Sequence, residues 1–249
     1  MPQWYRRLVP ERARTSTDAA GNTAGQRRRR TDGELTRRRV LDAAISSILE
    51  KGYYETSSNE IARRAGVTWG TIQHQFGTRE ALLLEVLNDR WATLQDRMAT
   101  AEIRGNTLEE RLHSVLDVLA LHYGQPEHLV QLQILLDLSH NPNTSAETRH
   151  AIALHGAALT RAWQPLFERA LGKAGHDSDL VRYAFLTLRG YLTGNLIASS
   201  IADTKDDGVQ RKLLVRGVAA AITSEAKRRG VPLRAPPSRR PGRLAADAY

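Results

Sequence analysis

The side chains that could support chemistry fall into two groups, and only one group forms a coherent pattern. Seven of the eight histidines are scattered between residues 113 and 176: His113, His122, His128, His140, His150, His155 and His176. The first two lie nine residues apart, so they occupy different faces of a helix and do not predict a metal site. The sequence contains no catalytic motif, no phosphate-binding glycine loop and no cysteine. We therefore expect no enzyme, no metal and no cofactor.

The second group surrounds a glycine-containing turn between two short predicted helices. Ile61 to Ile72 reads IARRAGVTWGTI, in which Gly66 can adopt the positive φ that such a turn requires. Ile72 and Phe76 lie four residues apart and are predicted to point into the core. The residues left to face outward are Thr68, Trp69, Thr71, Gln73 and His74. Most of these side chains are short and polar, which suits the major groove of DNA.

Helical periodicity and helix-terminating residues continue on both sides of this turn. Gly52 and Gly66 favour helix ends, Ser57 to Glu60 is typical of a capping box, and Thr68 and Thr78 can cap the following helices. We predict an all-α fold with an N-terminal three-helix helix-turn-helix domain and a larger C-terminal helical domain. The predicted ranges are 1–33 (disordered basic arm), 34–78 (DNA-binding domain), 79–230 (effector-binding and dimerisation domain) and 231–249 (disordered Pro/Arg-rich tail).

Positive charge is concentrated at the two ends of the chain. Residues 1–39 contain 11 Lys or Arg and 4 Asp or Glu, and residues 230–249 contain 4 and 1. Such ends favour a polyanionic partner, most simply DNA. The run Arg27, Arg28, Arg29 and Arg30 is either a solvated arm or an arm that follows phosphates or enters a minor groove. The sequence has no run of apolar residues long enough for a membrane span or signal peptide, so we expect a cytoplasmic protein with no membrane partner.

The N-terminal pattern resembles that of the TetR family over about residues 36–86. The residues that carry the resemblance are Ala43-Ala44, Gly52-Tyr53, Thr56-Ser57, Ile61-Ala62, Ala65-Gly66-Val67-Thr68, Gly70-Thr71-Ile72, His74, Phe76, Arg79 and Leu82-Leu83. The resemblance implies a homodimer that binds double-stranded operator DNA and is released from it by a small, mostly apolar effector, so that the protein acts as a repressor. Carried over by position, it implies DNA contacts by Thr56 or Ser57, Thr68, Thr71, His74 and Arg79. It also implies a close approach of DNA at Gly70.

Two positions depart from the family pattern. Gln73 stands where the family usually has a tyrosine that contacts the DNA backbone, and its amide could instead pair with adenine. Trp69 is unusual on a contact helix, and it could either pack against the first helix or contact thymine methyl groups and sugars.

The resemblance also implies an effector pocket and a dimer surface in the C-terminal domain. For the pocket, the predicted residues are Trp91, Leu116, Leu119, His122, Tyr123, Gln131, Leu135, His155, Trp163 and Phe167. The last two helices are apolar over much of their circumference, with Gly190 and Gly194 four residues apart, so they are predicted to form the dimer interface. The residues expected there are Phe185, Leu188, Leu192, Leu196, Leu214, Val218 and Ile222.

Three other interpretations remain open at this point. A helix-turn-helix DNA-binding protein without a small-molecule ligand would lack a sizeable cavity among the middle helices. A helical enzyme would need convergent titratable groups in a pocket. A protein that binds membrane surfaces through its basic tails would show no sequence preference in duplex DNA.

Overall fold

The computed structural model describes residues 23–202 and 208–233, without the side chains of residues 23–31 and 155–161. Over these ranges the chain forms nine α-helices and one 3₁₀ helix, and no strand. The α-helices are α1 (Thr23–Lys51), α2 (Ser58–Ala65), α3 (Trp69–Phe76), α4 (Arg79–Thr100), α5 (Leu108–Tyr123), α6 (Glu127–His140), α7 (Ala146–Leu171), α8 (Ser178–Ile201) and α9 (Val209–Arg228). The 3₁₀ helix spans Gly172–His176. The predicted all-α fold is confirmed.

Side-chain caps fix the beginnings of the short helices. Ser57 accepts a hydrogen bond from the Glu60 amide at α2, and Thr68 accepts one from the Thr71 amide at α3. Gly66 ends α2 in the left-handed conformation, with φ of 67°. Only one of the two hydrogen bonds of the capping box predicted for α2 forms, the one that the Ser57 side chain accepts. The Glu60 carboxylate binds Arg63 and Lys51 instead of accepting a hydrogen bond from the backbone amide of Ser57.

Two boundaries differ from the predicted ones. α1 begins at Thr23, so residues 23–33 are helical and do not belong to an unstructured arm. Arginine and glutamine favour helices, and this stretch has no proline to stop the helix from extending towards the N-terminus. At the other end, Val231 and Leu233 pack against the core, so the tail predicted to begin at residue 231 is anchored there. Residues 1–22 and 234–249 lie outside the described residues.

The described chain divides into two units between Arg39 and Val40. In the first unit, the Thr36 hydroxyl donates a hydrogen bond to the carbonyl of Asp32, 2.8 Å away. The second unit contains two hydrophobic cores. One core joins α5, α7, α8 and α9 to the second half of α4. The other, which we call the head core, is built from residues of α1, α2, α3 and the first half of α4.

Helix α6 also contributes to the head core. Its residues Val130, Ile134 and Leu138 are buried there, beside helices that the sequence analysis assigned to a separate domain. On the same side of α6, Asp137 accepts a 2.6 Å hydrogen bond from the Tyr53 hydroxyl. The head core therefore extends through Leu87 and into α6, and residue 78 does not mark its limit.

Candidate functional site

Helix α3 presents a polar face to solvent. Ile72 is fully buried in the head core, whereas Thr71, Gln73 and His74 are exposed. Because residues on opposite sides of a short helix cannot all be buried by one core, fixing Ile72 inward turns these three side chains outward. No acidic residue lies on this helix. This face is therefore free to meet a polyanion.

Trp69 and Gly70 occupy the first turn of α3. Trp69 is half-buried and packs against the head core, which favours the packing interpretation of this residue. Gly70 is exposed, and a Cβ atom added there would come no closer to its surroundings than 3.7 Å, from Thr68 Oγ1. The protein's own packing therefore does not require glycine at position 70.

Two of the hydroxyl groups predicted to contact DNA cap helices that lie next to each other. Ser57 and Thr68 are both exposed, and each accepts a backbone amide hydrogen bond at the start of its helix. The Thr68 and Thr71 hydroxyl oxygens are also 3.0 Å apart. An oxygen that accepts a hydrogen bond at a cap still has its own proton to donate to a phosphate.

Thr56 and Arg79 are not available to DNA in the way predicted. Thr56 is only 1% exposed, and its hydroxyl donates to the carbonyl of Gly52, 2.8 Å away. The Arg79 guanidinium donates to the carbonyls of Thr56 and Tyr53, at 3.1 and 3.3 Å, and lies over the Tyr53 ring. Unpaired carbonyls in the loop between α1 and α2 bind this cation, so both residues shape that loop from the inside.

Tyr54 is the exposed aromatic residue that sequence reasoning missed. It is 86% exposed, and its ring meets the buried ring of Tyr53 edge to face, with the two centroids 5.3 Å apart. A pair of adjacent tyrosines before a capped helix could have indicated one buried and one exposed ring, although the sequence does not reveal which is which.

The basic residues at the end of α1 and on α2 are paired within the protein. Arg64 binds Glu50 at 2.6 Å, and Glu60 binds both Arg63 and Lys51. Hydrogen bonds from Arg63 and Lys51 lower the pKa of Glu60 to about 2. These ion pairs connect α2 to the end of α1. The run Arg27 to Arg30 lies within α1, and its side chains are outside the described residues.

The residues predicted to line a pocket have different environments. Leu116, Leu119 and Phe167 are fully buried in tightly packed core, whereas Leu135 is 37% exposed and lies on the surface of α6. The error at Leu135 arises because α6 turns Ile134 and Leu138 inward instead. The side chain of His155 lies outside the described residues. The other five predicted residues are Trp91, His122, Tyr123, Gln131 and Trp163. The four aromatic residues among them form a group of neighbouring rings together with His128, and Gln131 lines a cleft.

Two open clefts lie beside this aromatic group. One, of about 330 Å³, is lined by residues of α4 to α6 and by the turn between α5 and α6: Arg90, Thr93, Arg97, Leu121, His122, Gln125, Glu127 and Gln131. The other, of about 370 Å³, is lined by α7 and α8: Trp163, Val181, Arg182, Phe185 and Leu186. The group's histidines are uncharged near neutral pH, because burial lowers the pKa of His122 to about 3 and that of His128 to about 4.

Most residues predicted for the dimer interface belong to the protein's own core. Phe185, Leu188, Leu192, Val218 and Ile222 are buried within the subunit, and Leu196 and Leu214 are half-buried. Exposed residues with small or apolar side chains run along a different side of the last two helices: Tyr183, Gly190, Gly194, Ile197 and Ile201 on α8, and Val209, Leu213, Gly217 and Ala220 on α9. We call this set the exposed stripe. A Cβ atom added at Gly190, Gly194 or Gly217 would meet open space.

The described residues contain no group of three or more acidic or histidine side chains placed to hold a metal ion. None of the helices in these ranges combines the length and the apolar character needed to cross a bilayer.

Comparisons with known proteins identify the N-terminal part of the chain. Residues 40–86 match the family described as "Bacterial regulatory proteins, tetR family". The HTH-type transcriptional regulator BetI of Escherichia coli (strain UMN026) is 32% identical over 85 residues, which are 33% of this chain and 44% of that protein. BetI of Agrobacterium fabrum is 32% identical over 84 residues, covering 34% and 41%. The chain thus spans less than half the length of these relatives.

Two solved structures are similar over most of the chain. FadR from Bacillus subtilis, in complex with stearoyl-CoA, has a TM-score of 0.53 at 22% identity and covers 75% of this chain and 97% of its own. A TetR-family transcriptional regulator from Mesorhizobium loti has a TM-score of 0.58 at 17% identity, covering 78% and 97%. Identities this low show a shared fold alone.

Proposed function

Since residues 40–86 form the N-terminal domain of the TetR family, we propose that this chain is a sequence-specific transcriptional regulator. In this proposal it binds operator DNA as a homodimer and leaves it when a small molecule binds the C-terminal helices. The observation that carries the proposal is the exposure of Thr71, Gln73 and His74 on α3 while Ile72 anchors that helix in the core. We expect repression as the mode of action, and the cytoplasm as its location.

Some of the proposed contacts position the protein on the DNA backbone, and others recognise the bases. Ser57, Thr68 and Tyr54 are exposed hydroxyl groups around α2 and α3 and would bind phosphates. Gln73 and His74 project from α3 and would read base edges in the major groove, where a glutamine amide matches the donor and acceptor of adenine. Arg27 to Arg30 would add sequence-independent attraction to the phosphates.

The exposed stripe supports the proposed homodimer. Exposed apolar groups such as Ile201 (81%) and Leu213 (61%) on adjacent helices are typical of a surface that another chain covers. Gly190 and Gly217 would allow two helices to approach closely across a two-fold axis. We propose that α8 and α9 of two subunits pack there, so that two α3 helices meet successive major grooves roughly 34–36 Å apart.

Helix α6 offers a route from the effector region to the head core. It carries His128 and Gln131 near the clefts, and Ile134 and Asp137 against the head. A ligand that shifts α6 would therefore also shift the loop that Tyr53 holds. In this proposal α6 acts as a lever for DNA release together with α4, which contributes residues to both cores, and a coupling of about 1–3 kcal/mol is the usual range.

Selection from random duplexes tests the DNA-binding part of the proposal. We expect the purified chain to enrich a palindromic site, and Gln73→Ala to lose about ten-fold or more of its preference at one position of each half-site. The matched control is Gln133→Ala, which removes an exposed glutamine from α6. A folded chain that enriches no duplex would contradict the proposal.

A regulator without a ligand is the second candidate. It is favoured by the close packing of Leu116, Leu119 and Phe167, which are fully buried where a pocket was expected. The two candidates differ in one measurement: only the ligand-responsive regulator would lose affinity for its selected duplex when a bound small molecule is added.

A further inference from the structure

Three polar side-chain atoms are buried together without a hydrogen-bond partner inside the C-terminal helices. They are Tyr123 Oη, His128 Nδ1 and Trp163 Nε1. The Tyr123 ring centroid lies 4.9 Å from that of His128 and 5.7 Å from that of Trp163. Buried polar atoms in proteins nearly always have partners, so three in one cluster indicate a missing one.

The chemistry of these atoms constrains what could join them. An indole N–H can only donate a hydrogen bond, and a phenol hydroxyl also donates readily. The other ring nitrogen of His128, Nε2, lies 3.3 Å from the Thr193 hydroxyl. When that hydroxyl donates to Nε2, Nδ1 carries the ring proton and becomes a third donor. A partner that satisfies all three atoms therefore needs acceptor oxygens.

Most of the charged side chains around this cluster are arginines. The Arg189 guanidinium lies 5.9 Å from the Tyr123 ring centroid and 5.4 Å from that of Phe185. Arg90 and Arg97 line the smaller cleft with His122, and Glu127 is the one acidic residue in that lining. The positive charges of these arginines add to burial in lowering the pKa of His122 and of His128. Such surroundings favour an anion and disfavour a cation.

The larger cleft opens next to the same rings. Trp163 and Phe185 are stacked with centroids 4.4 Å apart, and both line the cleft of about 370 Å³ together with Val181 and Leu186. This volume lies near the lower end of the usual range for small-molecule sites, and the walls are largely apolar. An apolar group of a ligand could therefore lie beside the donors.

We propose that the effector is an amphipathic organic acid. Its carboxylate accepts hydrogen bonds from Tyr123, His128 and Trp163 beside Arg189, and its apolar part occupies the cleft along Phe185. The inference rests on the proposed function only in calling this molecule an effector, because binding of the acid can be measured without DNA.

Calorimetry with charge-matched probes tests the ligand class on the full chain. The probes are phenylacetate, 4-phenylbutyrate and 8-phenyloctanoate, each compared with its primary amide and with the amine of equal length. We expect at least one acid to bind about ten-fold or more tightly than its amide, and the amines not to bind. The inference is overturned if an amide or amine binds as tightly as its acid, or if no acid gives saturable binding at millimolar concentration.

Conservative variants then assign the binding to these residues. Tyr123→Phe removes one hydroxyl and keeps the ring, so the melting temperature should change little while affinity for the best acid drops about ten-fold. Arg189→Gln should bring the ratio of acid to amide affinity close to one, whereas Arg216→Gln, on the exposed side of α9, should leave it unchanged. Unchanged affinity in Tyr123→Phe together with an unchanged ratio in Arg189→Gln would place the acid elsewhere and overturn the inference.

The two proposals fail separately. If no duplex is enriched but acids bind with the expected preference, the regulatory function is wrong and the ligand class stands. If a duplex is enriched and no acid binds, the inference is wrong and DNA binding stands.

Discussion

Replacing Tyr53 with phenylalanine isolates one hydrogen bond between the loop after α1 and α6. Tyr53 is 5% exposed, and its hydroxyl donates to Asp137 Oδ2 at 2.6 Å. Phenylalanine keeps the ring in the head core and under the Arg79 guanidinium, so only the hydroxyl is lost. A hydrogen bond to a charged group contributes about 1.5–3 kcal/mol. Because Asp137 is half-buried and water can replace the lost donor, we expect a decrease of about 1–2 kcal/mol in the free energy of unfolding.

Denaturant unfolding of the wild type and the variant measures this change, and Tyr54→Phe is the matched control. Tyr54 is 86% exposed, so removing its hydroxyl should alter the free energy of unfolding by less than about 0.5 kcal/mol. A double-mutant cycle with Asp137→Ala, which removes the acceptor, should give a coupling energy of similar size to the single loss. Equal effects of Tyr53→Phe and Tyr54→Phe, or a coupling energy near zero, would refute the assignment.

Four further outcomes are expected. Gly70→Ala should leave the fold intact, because the added Cβ would lie 3.7 Å from Thr68 Oγ1. The same variant should weaken binding to the selected duplex, and an unchanged affinity would contradict a close approach of DNA at this position. Gly190→Arg should convert the proposed dimer to monomer in light scattering without lowering helicity, while Ala99→Arg, on the exposed side of α4, should not. Burial holds the pKa of His128 at about 4 in the folded state, below its usual 6.5. The contribution of this residue to stability is therefore complete above pH 6.5 and falls as the pH drops towards 4. In acid titrations of unfolding, His128→Gln should reduce the stability lost between pH 7.5 and 5 by up to about 2 kcal/mol. Burial and Asp137 raise the pKa of Tyr53, so stability is lost as the pH rises above about 10, and Tyr53→Phe should flatten that loss.

Helix positions were largely predictable because their ends depend on local chemistry. The Thr68 and Thr78 side chains each accept a hydrogen bond from the backbone amide three residues further along the chain. Gly66 adopts the left-handed conformation that its position required. Such interactions lie within a few residues of sequence. The starting point of α1 was missed because arginine-rich sequence can form either a solvated arm or a continued helix.

Site residues were less predictable, because competing partners distant in sequence decide their roles. Arg79 was expected to offer donors to an anion, but the carbonyls of Tyr53 and Thr56 take them, 26 and 23 residues away. The same limitation applies to α8. Periodicity shows that this helix is apolar on more than one side, but only the packing of α5 and α9 shows that Leu188 is internal and Ile197 external.

The burial of α6 in the head core has a consequence for protein engineering. Val130, Ile134 and Leu138 close the apolar underside of helices α1 to α4, so a fragment that ends with α4 would expose that underside to water. A chimera could join helices α1 to α4 of this chain to the C-terminal helices of another protein with this fold. Such a chimera should remain soluble only when α6 is transferred together with these helices, or when the other protein has apolar residues at the positions of Val130, Ile134 and Leu138. Exchange of such heads within this fold would therefore be limited by a helix outside the proposed DNA-contacting face.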